Sequence, residues 1–263
     1  MRRTGNRGIT LDEGGSGNFV RVTVEDAHEG GVVAVGAPSL VLADATIRRT
    51  RALGDGMFGR AIVVQRSNAE LTRVHVDEYD DIGVYVGEAE ATVSLNDVFI
   101  EQGVGQPSDG LHGEGILVHD DGVLRGARVS VEGAREAGVL SGRGAVIELS
   151  ALEVRGTLPR RCASSTCADS PMGFGLAAVD GALIVVDFAS VDSSLCGLFI
   201  SGTGTMDLAM GRVAGAEIGA CLQAADFDVA RITDGVAYED NATNLSATTL
   251  PVPTPPDTIP SDM

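Results

Sequence analysis

The chain has 263 residues, a formal net charge of -18, 35 glycines and an aromatic share of only 4%. Such an acid excess argues against nucleic-acid partners, whose phosphates are held by Lys and Arg that release counterions, and against docking on anionic membranes. No run approaches the roughly 18 apolar residues of a membrane span, so membrane insertion is not expected.

In chain order, the N-terminal MRRTGNRGIT has basic residues but no apolar core of a signal peptide. Predicted strands begin at Gly8-Ile9-Thr10-Leu11 with no amphipathic helix before them. An open first edge invites pairing with another chain. We therefore expect a piece of a longer protein or a misplaced start, and end-to-end association through this uncapped N-terminal edge.

From there one pattern recurs, clearest in Ile82–Gln102: Val84 and Val86 alternate after Gly83, a small-residue turn follows, and Val93, Leu95, Val98 and Ile100 make two short alternating runs around a kink. Alternation over so few residues is a strand signal. Taking the last apolar residue as a marker, the pattern returns at Val24, Ile47, Val76, Ile100, Val131, Val154, Val191, Val213 and Ile232. The first strand of each unit starts at Gly31, Ala61, Gly83, Gly115, Gly138, Gly175, Gly197 and Gly219. The expected fold is therefore all-β, a solenoid of about nine coils of roughly 22 to 24 residues, each burying its face against its neighbours. Residues 1–240 form the repeat domain. Residues 241–263 lose the pattern and end in the Pro-rich LPVPTPPDTIPSDM, a cap remnant and tail.

The motifs GVYV…VSLNDVFI, GILV…LRGARVSV and GLFI…MDLAMGRV resemble the right-handed parallel β-helix of the pectate-lyase-like superfamily. Within it they are most similar to the Gly- and Val-rich repeat proteins of bacterial secreted and envelope fractions. That resemblance implies an extracytoplasmic location and a fold that hosts lyases, hydrolases, adhesins and inert scaffolds.

Three insertions fall at one corner, after the coils marked Ile47, Ile100 and Val154. They end in related motifs: Asp55-Gly56-Met-Phe-Gly59, Asp109-Gly110-Leu-His112-Gly113 and Asp169-Ser-Pro-Met-Gly173. The marker spacing makes the genetic repeat a double coil. Adjacent strands lie about 4.8 Å apart, so loops on alternate coils should emerge roughly 10 Å apart as one ridge. Asp before Gly is also a turn signature. As a ridge, Asp55, Gly56, Gly59, Asp109, Gly110, His112, Gly113 and Asp169 are candidate binding residues for a polysaccharide or cell-surface partner. Asp55, Asp109 and Asp169 are also candidates for Ca²⁺, although one carboxylate per loop is few for a hard cation. No other cofactor is expected, and the sequence does not specify the oligomeric state.

Cys162 and Cys167 lie within the longest insertion and are read as a disulfide. Cys196 and Cys221 stand at different offsets from the corner glycines and are read as buried small hydrophobes, with Cys196 an alternative partner for Cys162 or Cys167. Candidates for catalysis are Asp80, Asp81, His119, Asp120 and Asp121. The two groups belong to different corners and should not converge, and adjacent Asp residues read as solvated turns. His75 and His112 read as exposed. Arg48, Arg49, Arg51, Arg155, Arg160 and Arg161 should pair with carboxylates at the loop bases. The leading expectation is a non-catalytic scaffold or adhesion-type module presenting the ridge, with a polysaccharide lyase or glycoside hydrolase as the alternative.

Overall fold

Alternating apolar residues want one face in and one face out. In the computed structural model, which describes residues 7–161, 172–250 and 252–253, that demand is met by winding. The strands are β1 (Ile9–Leu11), β2 (Ser16–Val20), β3 (Thr23–Glu25), β4 (Gly30–Val35), β5 (Ser39–Thr50), β6 (Arg60–Gln65), β7 (Asn68–Tyr79), β8 (Val84–Gly87), β9 (Thr92–Gly103) and β10 (Ile116–His119). They continue as β11 (Val123–Glu132), β12 (Ala137–Gly142), β13 (Val146–Arg155), β14 (Phe174–Val179), β15 (Ala182–Val191), β16 (Cys196–Ser201), β17 (Thr205–Ala214) and β18 (Ile218–Gln223). A single helical turn, α1 (Ala230–Thr233), precedes β19 (Val236–Glu239) and β20 (Thr243–Ala247).

Even-numbered strands from β4 to β20, with β1, form one ten-stranded sheet. The odd strands from β5 to β19, with β2 and β3, form the other. Pairing is parallel throughout both ladders. The chain is thus a parallel β-solenoid, and Val84, Ile116 and Val139 lie opposite one another as the repeat pattern predicts. The inward columns, such as Ile47, Val76, Ile100, Val131 and Val154, are fully buried and form one continuous aliphatic core. Glycine at the entry corner follows from that packing: a Cβ on Gly115 would sit 2.7 Å from the Gly138 carbonyl oxygen and 2.3 Å from Val131 Cγ1.

The structure departs from the sequence reading in four places. First, from β5 to β17 the two short runs around each kink are one long bent strand, whereas β2 and β3 of the first coil stay separate. Asp97, Arg128 and their equivalents take left-handed φ (57° and 56°) at the bend, and pairing resumes on its far side. Second, the marker in the seventh coil is Ser190, which pairs with Val154 and Val213; Val191 pairs with Arg155. A one-residue shift exchanges the faces of a strand, so Leu183 and Val185 point inward and Ile184 and Val186 outward. Third, Ile232 reaches the core from α1 and not from a strand. Fourth, Cys196 and Cys221 form a disulfide with Cα atoms 6.0 Å apart. Their ladder positions differ by three residues, but the corner bend brings them together. Cys162, Cys167 and Asp169 lie outside the described residues.

The first sheet is buried on both faces. Its outward column, Val33, Val63, Tyr85, Leu117, Leu140, Ala177, Phe199 and Cys221, forms a second apolar cluster. Phe174 stacks on Phe199 at 4.2 Å within it. Burial on both faces explains why these strands read as continuous apolar runs without alternation.

Candidate functional site

The loops leave the corner where the second sheet hands over to the first. Two of them are conformational copies. Asp55 accepts a hydrogen bond from the Met57 N–H at 3.0 Å, and Asp109 accepts one from the Leu111 N–H at 2.9 Å. The left-handed positions also match: Gly56 with Gly110, Phe58 with His112, and Gly59 with Gly113. The Asp-Gly motif is therefore a turn in both loops, with one carboxylate oxygen of each Asp engaged by its own backbone.

The copies touch. The Ser108 N–H donates to the Gly56 carbonyl at 3.2 Å, and Ser108 Oγ lies 3.3 Å from Met57 Sδ. The described base of the third insertion joins them, since Arg135 Nη1 donates to the Pro159 carbonyl at 3.0 Å. A Cβ on Gly105 would lie 3.6 Å from Arg161 Cβ. The first two loops and the described base of the third thus line one edge.

Beneath the ridge runs a buried polar cluster. Arg60 Nε bonds Asp81 Oδ2 at 2.6 Å, with both side chains fully buried. The Arg60 guanidinium also lies 4.6 Å from the centre of the Tyr85 ring and 5.3 Å from that of Phe58. Arg160 Nε bonds Glu136 Oε1 at 2.5 Å, and the same oxygen accepts the His112 backbone N–H at 2.9 Å. His112 Nδ1 stands 3.3 Å from Glu114 Oε1. Burial pulls the His112 pKa down, but Glu114, Asp81 and Glu136 outweigh it and push it up to about 9. Burial raises the Glu114 carboxyl.

Several expectations change accordingly. Asp80 and Asp81 are buried, not a solvated turn: Asp80 Oδ2 accepts the Ala52 N–H at 2.8 Å, and Asp81 neutralises Arg60. His112 is buried and clustered, not lone and exposed, with Glu114 beside its ring. His75 is half-exposed, bonded to Glu101 at 2.7 Å and stacked on Phe99. Arg48, Arg49, Arg51, Arg155 and Arg160 pair with carboxylates as predicted.

His119, Asp120 and Asp121 lie at the far end of β10. His119 Nδ1 is 2.9 Å from Asp120 Oδ2, which Arg143 also binds at 2.8 Å. Burial lowers the His119 pKa. Among the described residues, no ion pair joins this group to Asp80 or Asp81.

Sequence reasoning missed Arg60, Glu114 and Glu136. The signal was present for two of them. The column just before the corner glycine holds Ile82, Ala137, Phe174 and Cys196 on other coils, and Arg60 and Glu114 are charged intruders in it.

Away from the ridge, the second sheet carries a shallow groove of about 590 Å³ lined by Ala151, Glu153, Asp187, Phe188, Met210 and Arg212. Among the described residues no helix is long and apolar enough to cross a membrane. Against known families, curated proteins and solved structures, the chain finds no match.

Proposed function

We propose that the protein is a non-catalytic, extracytoplasmic β-helix module of the pectate-lyase-like type that presents its loop ridge to a polysaccharide or cell-surface partner. One observation supports this above the rest: two loops with the same backbone conformation are bonded to each other on a rigid corner, the usual setting for recognition. The disulfide between Cys196 and Cys221 fits an oxidising compartment. The test is a glycan array with the full chain and with an Asp55→Arg, Ser108→Arg variant that alters the exposed crest. Binding lost in the variant while its melting temperature holds is the expected result. Equal binding by both would remove the ridge from the reading.

The runner-up is a polysaccharide lyase or hydrolase. It draws on the groove that places Glu153, Asp187 and Arg212 together, since two carboxylates are the minimum for glycoside hydrolysis. A steady rise in unsaturated-uronate absorbance or in reducing ends, abolished by Asp187→Asn, would favour it over the binding module.

A further inference from the structure

A ligating atom of each of His112, Glu114 and Glu136 lies within 4.8 Å of the other two, and all three residues are buried. The ion pairs around them do not use up their capacity. Arg160 and the His112 N–H both occupy Glu136 Oε1, while Glu136 Oε2 and Glu114 Oε2 are buried with no hydrogen-bond partner among the described residues. Glu114, fully buried, has no arginine within its hydrogen bonds, and its neighbour His112 Nδ1 is at 3.3 Å. That is long for a hydrogen bond but matches the spacing of two donors on one metal, roughly 3.3 Å for bonds of about 2.0 Å. A buried carboxylate oxygen left without a partner is costly, and Glu114 Oε2 is one among the described residues.

The loops supply a comparison inside the same molecule. At the positions of His112 and Glu114, the first insertion has Phe58 and Arg60, and the third has Met172 and Phe174. Neither pair offers a nitrogen and a carboxylate. The first and middle loops thus share a backbone, and at these two positions only the middle loop carries an imidazole and a carboxylate.

We infer that His112, Glu114 and Glu136 form a binding site for a divalent first-row transition ion, Zn²⁺ in the first place, that ties the middle loop to the coil beneath. One imidazole with two carboxylates suits Zn²⁺ and its neighbours, whereas Ca²⁺ takes six to eight oxygens. Arg160 and the His112 N–H hold Glu136 by one oxygen and leave the other for the metal, an outer arrangement typical of such sites. The inference does not depend on what the ridge binds.

The test is titration of the chelator-treated full chain with Co²⁺ under non-reducing conditions, followed by visible absorbance and by melting. We expect one saturable equivalent, without a thiolate charge-transfer band, displaced by Zn²⁺ and not by excess Ca²⁺, and a raised melting temperature. Glu114→Gln and His112→Asn should each weaken Co²⁺ binding 10- to 100-fold or more, while Asp44→Asn, which removes an exposed carboxylate of the second sheet, should leave it unchanged. If a variant loses its sheet circular dichroism, the other carries the comparison. The proposal is overturned if the folded wild-type chain shows no saturable Co²⁺ band. It is equally overturned if either folded variant binds one equivalent as tightly as wild type.

Discussion

The two ends of the second sheet share their inward columns and differ on the outside. At the N-terminal end the left-handed bend positions read Arg21, Asp44, Arg73, Asp97 and Arg128, alternating in sign, and Arg73 bonds Asp44 while Arg128 bonds Asp97 at 2.5 Å. From Ala151 onward the ladder stops. There the outer face carries Ile184, Val186 and Met210, the last 65% exposed. The covalent staple of these coils lies in the first sheet, the Cys196–Cys221 disulfide across β16 and β18. The solenoid therefore fixes only what points inward. Each stretch of the outside is free to hold its coils together by its own means, or to be shaped for a partner.

The sharpest way to test that comparison is to put a charge on each side of one strand. Val185 is fully buried and Val186 is 37% exposed. Val185→Asp should cost on the order of 4–5 kcal/mol or prevent folding, because an unpaired charge enters the core. Val186→Asp should stay within about 0.5 kcal/mol. Urea unfolding of both variants reads the difference directly. The reverse order would restore Val191 as the inward marker and move the apolar patch inside.

Next in size is the disulfide. A closed loop with a sequence separation of 25 restricts the unfolded chain by about 3–4 kcal/mol in the loop-entropy treatment. The Cys196→Ala, Cys221→Ala double variant should lose that much in chemical denaturation, and the loss should fall on the C-terminal coils. Hydrogen exchange can localise it. Faster exchange spread evenly from β4 to β18 would mean that the coils open together and that the two ends are not independent.

How far the sequence could be read follows from the same contrast. Columns with period two and corner glycines were legible because packing forces them, and residues such as Val84, Ile116 and Val139 announce the stack without help. The slip at Ser190 arose because LIVV in β15 is apolar on both faces, so alternation carries no phase there. Ser190 hides in the core by donating its hydroxyl to the Gly197 carbonyl at 3.0 Å. The site was harder still. His112 and Glu136 are 24 residues apart, and only the coil register makes them neighbours, whereas a motif search looks for donors close along the chain. Cys196 and Cys221 were misjudged for a related reason: their offset was measured along a straight ladder, and the corner is bent.

The smallest expected effect belongs to the charge ladder, and its diagnostic is salt. Asp44 and Asp97 hold their carboxyls below the ordinary range because of hydrogen bonds from Arg73 and Arg128. A carboxyl whose folded pKa is depressed adds stability above its unfolded value, near 3.8, and loses it as pH falls through the folded pKa. These groups are exposed and screened, so Asp44→Asn with Asp97→Asn should lower the melting temperature slightly at neutral pH and low salt. Asn accepts left-handed φ as readily as Asp, so the substitution removes charge and leaves the bend intact. At 1 M salt, where the Debye length is about 3 Å, the deficit should disappear, as it should once the pH has dropped below the folded pKa. A deficit that survives both conditions would assign these residues to the geometry of the bend. The N-terminal bends would then be held by their backbone, without help from the ion pairs.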